Sequence, residues 1–241
     1  MKASGRLSSS LKIFGIALAL VFIGGGLLYI EAPHLLRAIR YQFADIDDYK
    51  IFPNATVKSG APQPWAIATT YNQARLSPRL QANIESYEPV AFLGIQDNQI
   101  VYEQYWEGYD ESQLSGSFSM AKSIVSLLVG VALEEGKIES LDQPIADFIP
   151  EFKVGEKQRI TFRHLLTMTS GLEWDESYAA PFAPTTELYY GDDVYEVVAN
   201  LPLAREPGTV WHYSTADTQL LGMALEAAIG EPLSDYASEK L

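Results

Sequence analysis

From Met120 to Leu133 the chain reads Met-Ala-Lys-Ser-Ile-Val-Ser-Leu-Leu-Val-Gly-Val-Ala-Leu, with Lys122 as its only charge. This spacing predicts a helix that is apolar on every side and therefore buried. Upstream the pattern changes. Val90–Gln96 and Ile100–Trp106 are strand-like runs joined by Asp97-Asn98-Gln99, which predicts an antiparallel hairpin. Pro78–Tyr87 predicts a short helix with Leu80, Ile84 and Tyr87 along one face.

Downstream the signals are helical and rich in loops. Thr161 predicts the cap of a helix carrying Phe162, Leu165 and Leu166, closed by Gly171. Asp193 predicts a cap for Val194, Val197, Val198 and Leu201. A third helix spans about Ala216–Ile229, with Leu221, Leu225, Ala228 and Ile229 inward and Gly230 and Pro232 as stops. Ser234 opens a last one that Leu241 interrupts. Residues 31–75 carry Pro33, Pro53, Pro62 and Pro64 without periodicity, and read as a stalk and extended wrap. The sum is an α/β (α+β) domain over residues 76–241, an antiparallel sheet with a helical subdomain. A two-stranded hairpin is not a stable sheet by itself, and the apolar helix needs a sheet to cover it. The domain is therefore expected to lack strands at its C-terminal end.

Composition bounds the function classes. The 241 residues are 47% hydrophobic with a net charge of -14, and without Lys2, Arg6 and Lys12 the balance falls to -17. Such a surface repels phosphate backbones, so nucleic acid is not expected as a partner. Without cysteine there are no disulfides or thiolate metal sites. Residues 1–12 form a basic leader, and 13–30 form an uncharged run just long enough to cross a bilayer. The excess of positive charge before this run favours a single-pass anchor with a cytoplasmic N-terminus and an extracytoplasmic (periplasmic) domain. Secretion after signal cleavage is the alternative, disfavoured because the cut after Gly26 falls inside an apolar run.

The chemistry centres on Ser119 and Lys122. Residues at i and i+3 share a helix face, so the amine reaches the hydroxyl. The positive helix end favours both a neutral lysine and a developing oxyanion. An ammonium near an apolar helix is costly unless it is paired, reaches water or gives up its proton. Ser-x-x-Lys alone is a weak motif: Ser9-Ser10-Leu11-Lys12 matches it too. No Gly-x-Ser-x-Gly is present. His34, His164 and His212 lack metal-ligand spacing, and neither metal nor cofactor is expected. Asp192-Asp193 and Glu134-Glu135 read as helix-end and surface charges.

Ser117-Phe118-Ser119-Met120-Ala121-Lys122-Ser123-Ile124-Val125-Ser126 resembles the nucleophile segment of the serine β-lactamase and penicillin-binding-protein superfamily. It is most similar to the branch holding class C β-lactamases, esterases, D-aminopeptidases and 6-aminohexanoate-dimer hydrolases. Gly136-Lys137-Ile138 through Leu141-Asp142-Gln143-Pro144-Ile145 agrees in order and spacing. So do Ile160 through Leu172 and Glu206-Pro207-Gly208-Thr209 followed by Trp211-His212-Tyr213-Ser214-Thr215. The resemblance implies an acyl-enzyme mechanism on a small ester, amide or peptide. Ser119 would be the nucleophile and Lys122 its proton acceptor, or the charge that activates one. Tyr213 would relay a proton to the leaving group. Thr215 stands where the family pattern Tyr-x-Asn has asparagine, and no Lys-Thr-Gly-like strand follows Tyr213. The readings left open are an inactive relative that binds a cell-envelope component, and a cell-wall carboxypeptidase or transpeptidase.

Overall fold

The computed structural model describes Gly26, residues 32–178 and residues 180–241. The basic leader and the expected anchor lie outside these residues, apart from Gly26. Among the described residues no helix is long and apolar enough to cross a membrane. The chain divides into two compact units, one of residues 32–45 with 117–240 and the other Ile46–Gly116.

The smaller unit holds the sheet. Strands β1 (Ala66–Ile67), β2 (Ala91–Gln96) and β3 (Gln99–Tyr105) lie in the order β1-β3-β2. β2 and β3 form the expected antiparallel hairpin, with Ala91 opposite Tyr105. The connection is tighter than expected: only Asp97 and Asn98 turn, both at positive φ, as a two-residue hairpin requires. β1 runs parallel to β3, so the sheet is mixed rather than antiparallel. The unpaired edge of β3 recruits this short strand from the region read as an extended wrap. Asn72 secures the crossing, since its side chain exchanges hydrogen bonds with the Glu103 N–H and C=O at 2.8 and 3.0 Å. The expected helix is present as α2 (Pro78–Glu85), capped by Ser77, with Ile84 buried. Leu80 and Tyr87 are exposed, and Tyr87 lies beyond the end of the helix.

The larger unit is helical. Helix α1 (Pro33–Tyr41) arises in the segment read as a stalk. Its proline sits in the first turn, where a missing N–H costs nothing. It packs on a later helix, α5 (Pro184–Tyr190), with Leu35 buried and Arg37 donating to the Tyr190 carbonyl at 2.8 Å and to Asp192 at 2.6 Å. The core is formed by α3 (Met120–Glu134), α4 (Phe162–Leu166), α6 (Val194–Ala199), α7 (Thr215–Ile229) and α8 (Leu233–Lys240). Leu128, Phe152, Phe162, Leu165, Leu220 and Leu225 are buried there. Each contributes on the order of 2 kcal/mol relative to exposure.

Two caps fall where the sequence places them, at Thr161 and Asp193, and the cap at Ser214 was not expected. Thr161 and His164 form a capping box, Asp193 accepts from the Glu196 N–H, and Ser214 accepts from the Asp217 N–H. Gly230 ends α7 at a left-handed φ of 81°. The central helix differs from expectation. α3 buries Leu128, Val129 and Ala132, while Met120, Ile124 and Leu127 are 59%, 38% and 57% exposed. Its partners α7 and α8 lie along one side, so an all-apolar sequence does not produce all-round burial here.

Two irregular segments brace the start of α7. The Gly171 carbonyl accepts from the N–H groups of Ala204 and Arg205, the Thr169 carbonyl from Gly208, and the Met168 carbonyl from His212. Gly171 has a φ of +77°, and a Cβ there would stand 2.2 Å from the Arg205 carbonyl oxygen. Gly171→Ala is expected to cost about 2 kcal/mol or more in urea unfolding, from strain and clash together.

Asp217 is buried within the same brace. Its Oδ1 accepts from the Ser170 hydroxyl at 2.7 Å, and Oδ2 has no hydrogen-bond partner among the described residues. Burial pushes this carboxyl up to about 6, opposed in part by the hydrogen bonds from Ser170 and Ser214. A folded value above the unfolded one of about 3.9 means the contribution to stability is present below pH 4 and lost as pH rises through 6. Asp217→Asn cannot ionise. The stability of the wild type relative to this variant is therefore expected to fall by about 2 kcal/mol between pH 4 and 7. Chemical denaturation of both proteins across that range measures the difference.

Candidate active site

Ser119 sits at the start of α3, where Phe118 turns the chain with a φ of 45°. Positive φ is costly for a bulky residue and marks a turn held by its surroundings. The N–H groups of Met120, Ala121 and Lys122 bond back to the carbonyls of Ser117, Phe118 and Ser119. This tight first turn presents the Ser119 hydroxyl beside the Lys122 side chain, which is half-buried. Lys122 Nζ lies 3.4 Å from Ser119 Oγ, a long hydrogen bond, and donates to Thr215 Oγ1 at 2.9 Å.

Tyr213 and Thr215 approach from the brace and the first turn of α7. Lys122 Nζ stands 5.1 Å from the centroid of the Tyr213 ring, within range of a cation–π contact. The three residues singled out in the sequence are thus brought together around one amine. The Tyr213 position depends on its neighbour: His212 donates its N–H to Met168 and places Nε2 2.9 Å from the Trp174 carbonyl. His164 serves the fold likewise, its Nδ1 accepting from the Thr161 N–H at 3.3 Å.

Sequence reasoning missed Glu176. Its Oε1 accepts from the Thr215 hydroxyl at 2.5 Å, and its Oε2 accepts from the Thr215 N–H at 2.8 Å and from Trp174 Nε1 at 2.5 Å. Glu176 lies in an irregular loop with no periodicity, and the only available signal was an acid shortly after the Ser170-Gly171-Leu172 segment. Tyr178 was missed for the same reason. Burial and the Glu176 carboxylate raise its phenol above the usual tyrosine range, with a hydrogen bond to Thr215 opposing them. It lines a cavity of about 200 Å³ with Phe118, Ser119, Lys122, Thr215 and Leu233.

The remaining acid pairs have structural roles. Asp192 pairs with Arg37, Asp193 caps α6, and Glu135 is held by Lys240 at 2.6 Å and Tyr236 at 2.9 Å. Among the described residues no cluster of histidine and carboxylate side chains has the arrangement of a metal site.

Comparison with known proteins gives this geometry a family. The chain is 25% identical over 232 residues to the 6-aminohexanoate-dimer hydrolase of Paenarthrobacter ureafaciens, covering 88% of this chain and 56% of that protein. It is 33% identical over 129 residues to esterase EstB of Burkholderia gladioli, covering 48% of this chain and 32% of the esterase. The chain therefore spans about half, or less, of the length of these relatives. Its fold matches a solved structure named "Putative 6-aminohexanoate-dimer hydrolase from Bacillus anthracis" with a TM-score of 0.68 at 21% identity, covering 88% of this chain and 60% of that one. The beta-lactamase family model matches residues 80–241, which include Ser119, Lys122, Tyr213 and the brace that joins them, and the chain belongs to that family.

Proposed function

We propose that the chain carries the nucleophile of a serine hydrolase that cleaves a small ester or amide through an acyl-enzyme on Ser119. The observation that carries this reading is the convergence of Ser119, Tyr213 and Thr215 on the Lys122 amine beside one cavity. The names of relatives add support, one being an esterase and another a hydrolase of an amide dimer.

Ser119 Oγ attacks the substrate carbonyl carbon while its proton passes to Lys122 Nζ. The tetrahedral oxyanion forms beside the Ser119 N–H, at the positive end of α3. Collapse breaks the bond to the leaving alcohol or amine, which takes a proton through Tyr213. Water then attacks the acyl-enzyme, and the carboxylic acid leaves as Ser119 recovers its proton. Thr215 offers a hydroxyl where the family pattern has an amide, and that hydroxyl is already committed to Lys122 and Glu176. This favours esters and linear amides over substrates that must be gripped by a side-chain amide at that position.

A fluorophosphonate probe is expected to label Ser119, and Ser119→Ala to abolish the labelling. Lys122→Arg should lose nearly as much labelling rate as Lys122→Ala, because guanidinium does not give up its proton. Labelling that persists in Ser119→Ala or moves to another serine would refute the assignment, and mass spectrometry of the labelled peptide decides it.

Residues 13–30 are further proposed to anchor the protein in a membrane, with the hydrolase on the extracytoplasmic side. The support is the uncharged run and the positive charges that precede it. The protein is expected to remain in the membrane fraction after alkaline carbonate washing. Recovery in the soluble fraction, with a new N-terminus near Leu27, would instead indicate a cleaved signal.

A further inference from the structure

We infer that Glu176 is a positioning residue for Lys122, acting through the Thr215 hydroxyl, and that this carboxylate–hydroxyl pair does the work of aiming the amine at Ser119. The inference rests on the reading of Ser119 as nucleophile.

The argument is a matter of donors and acceptors. A hydroxyl has one proton and two lone pairs. Glu176 Oε1 lies 2.5 Å from Thr215 Oγ1 and, as a carboxylate oxygen, can only accept. The Thr215 proton therefore points at Glu176, and its two lone pairs are left for Lys122 Nζ at 2.9 Å and for the Tyr178 phenol. One N–H of the amine is thereby committed to Thr215. That fixes the rotation of the group, so the position facing Ser119 Oγ at 3.4 Å is set as well. Charge-assisted bonds of this kind are short and about twice as strong as neutral ones.

Glu176 is itself held against rotation. Its second oxygen accepts from the Thr215 N–H at 2.8 Å and from the indole of Trp174, a buried side chain, at 2.5 Å. The Thr215 N–H belongs to the first turn of α7, where backbone donors lack helical acceptors and the dipole favours an anion. Three donors from two segments thus converge on one carboxylate. An asparagine at position 215 could offer its carbonyl to the lysine without such support. A threonine hydroxyl needs an acceptor behind it to face the lysine as an acceptor, and Glu176 is that group.

The isosteric change Glu176→Gln separates this role from simple loop support. A glutamine can keep its carbonyl on Trp174 Nε1 and the Thr215 N–H, but it presents a donor to Thr215 Oγ1. The loop is then retained while the direction of the hydroxyl proton is no longer imposed. Thr215→Val removes the hydroxyl altogether, and Thr215→Ser retains it.

Two measurements on the whole chain test the inference. The first is the reactivity of the Lys122 amine in competitive acetylation followed by mass spectrometry, which needs no catalysis. Glu176→Gln and Thr215→Val are each expected to change it several-fold, and Thr215→Ser to leave it close to wild type. The second is the rate of fluorophosphonate labelling at Ser119. It should fall roughly 10- to 100-fold in each of the first two variants, and no further in the double variant, because both break one chain of contacts. Thr215→Ser should recover most of that rate. Equal Lys122 reactivity in wild type, Glu176→Gln and Thr215→Val would overturn the inference and leave Glu176 as a loop staple, as would losses that simply add in the double variant. Absence of Ser119 labelling in the wild type would instead remove the hydrolase reading, while the response of Lys122 acetylation would still decide whether the positioning network exists.

Discussion

The site depends on a backbone splice between two segments without regular structure. Carbonyls of Met168, Thr169 and Gly171 accept from the N–H groups of His212, Gly208, Ala204 and Arg205. Neither segment is a helix or strand, so each would otherwise carry unpaired polar groups into the interior. Pairing them satisfies those groups and fixes where α7 begins. Because Tyr213 and Thr215 occupy that beginning, their distance from Lys122 is set by hydrogen bonds around residues 168–172 and not by contacts at the site. A second splice supports the first: Ile145 donates to Ile160 and Arg163 to Leu141, while Arg163 clasps Asp142 through two bonds. The motif segments that looked separate along the chain are thus the facing halves of two joints.

Charge is added to this frame economically. Lys122 is the one charged residue within the apolar run, and the Glu176 carboxylate is linked to it across the Thr215 hydroxyl. Direct contact between an ammonium and a carboxylate would saturate the amine and draw it away from Ser119. Interposing Thr215 keeps the carboxylate's orienting influence at one remove. The same carboxylate occupies the first N–H of α7, so the residue that orients the amine also ties its loop to the helix that begins at Thr215, just after Tyr213.

Much of this was legible in the sequence, and for specific reasons. The hairpin was readable because Asp97-Asn98 can adopt the left-handed backbone of a two-residue turn. The caps at Thr161 and Asp193 were readable because capping is local chemistry. Ser119 and Lys122 stood out because an amine lies one helical turn from a hydroxyl on an otherwise apolar helix, and Tyr213 only through the resemblance of its segment. What was not legible depended on distant partners. β1 is two residues long and exists only because the β3 edge is open. α1 gains its buried face from α5, some 150 residues away in sequence. The exposure of Met120, Ile124 and Leu127 contradicts the pattern, since composition records that a face is apolar but not whether anything lies against it.

Thr215 shows how a departure from a motif should be weighed. Taken alone, threonine for asparagine shortens the side chain and removes an amide, which reads as loss of function. In the structure the hydroxyl still reaches Lys122 at 2.9 Å, because Glu176 supplies what the amide's carbonyl would have supplied: a lone pair reliably turned toward the amine. What is not replaced is the amide's donor, since the one hydroxyl proton is spent on the carboxylate. Retaining the acceptor and losing the donor divides the two roles of the position. In the proposed mechanism, orientation of Lys122 survives, while recognition of a substrate carbonyl by that side chain does not. On the proposed reading of Ser119 as nucleophile, the substitution bears on which acyl group is accepted, and much less on whether Ser119 is activated.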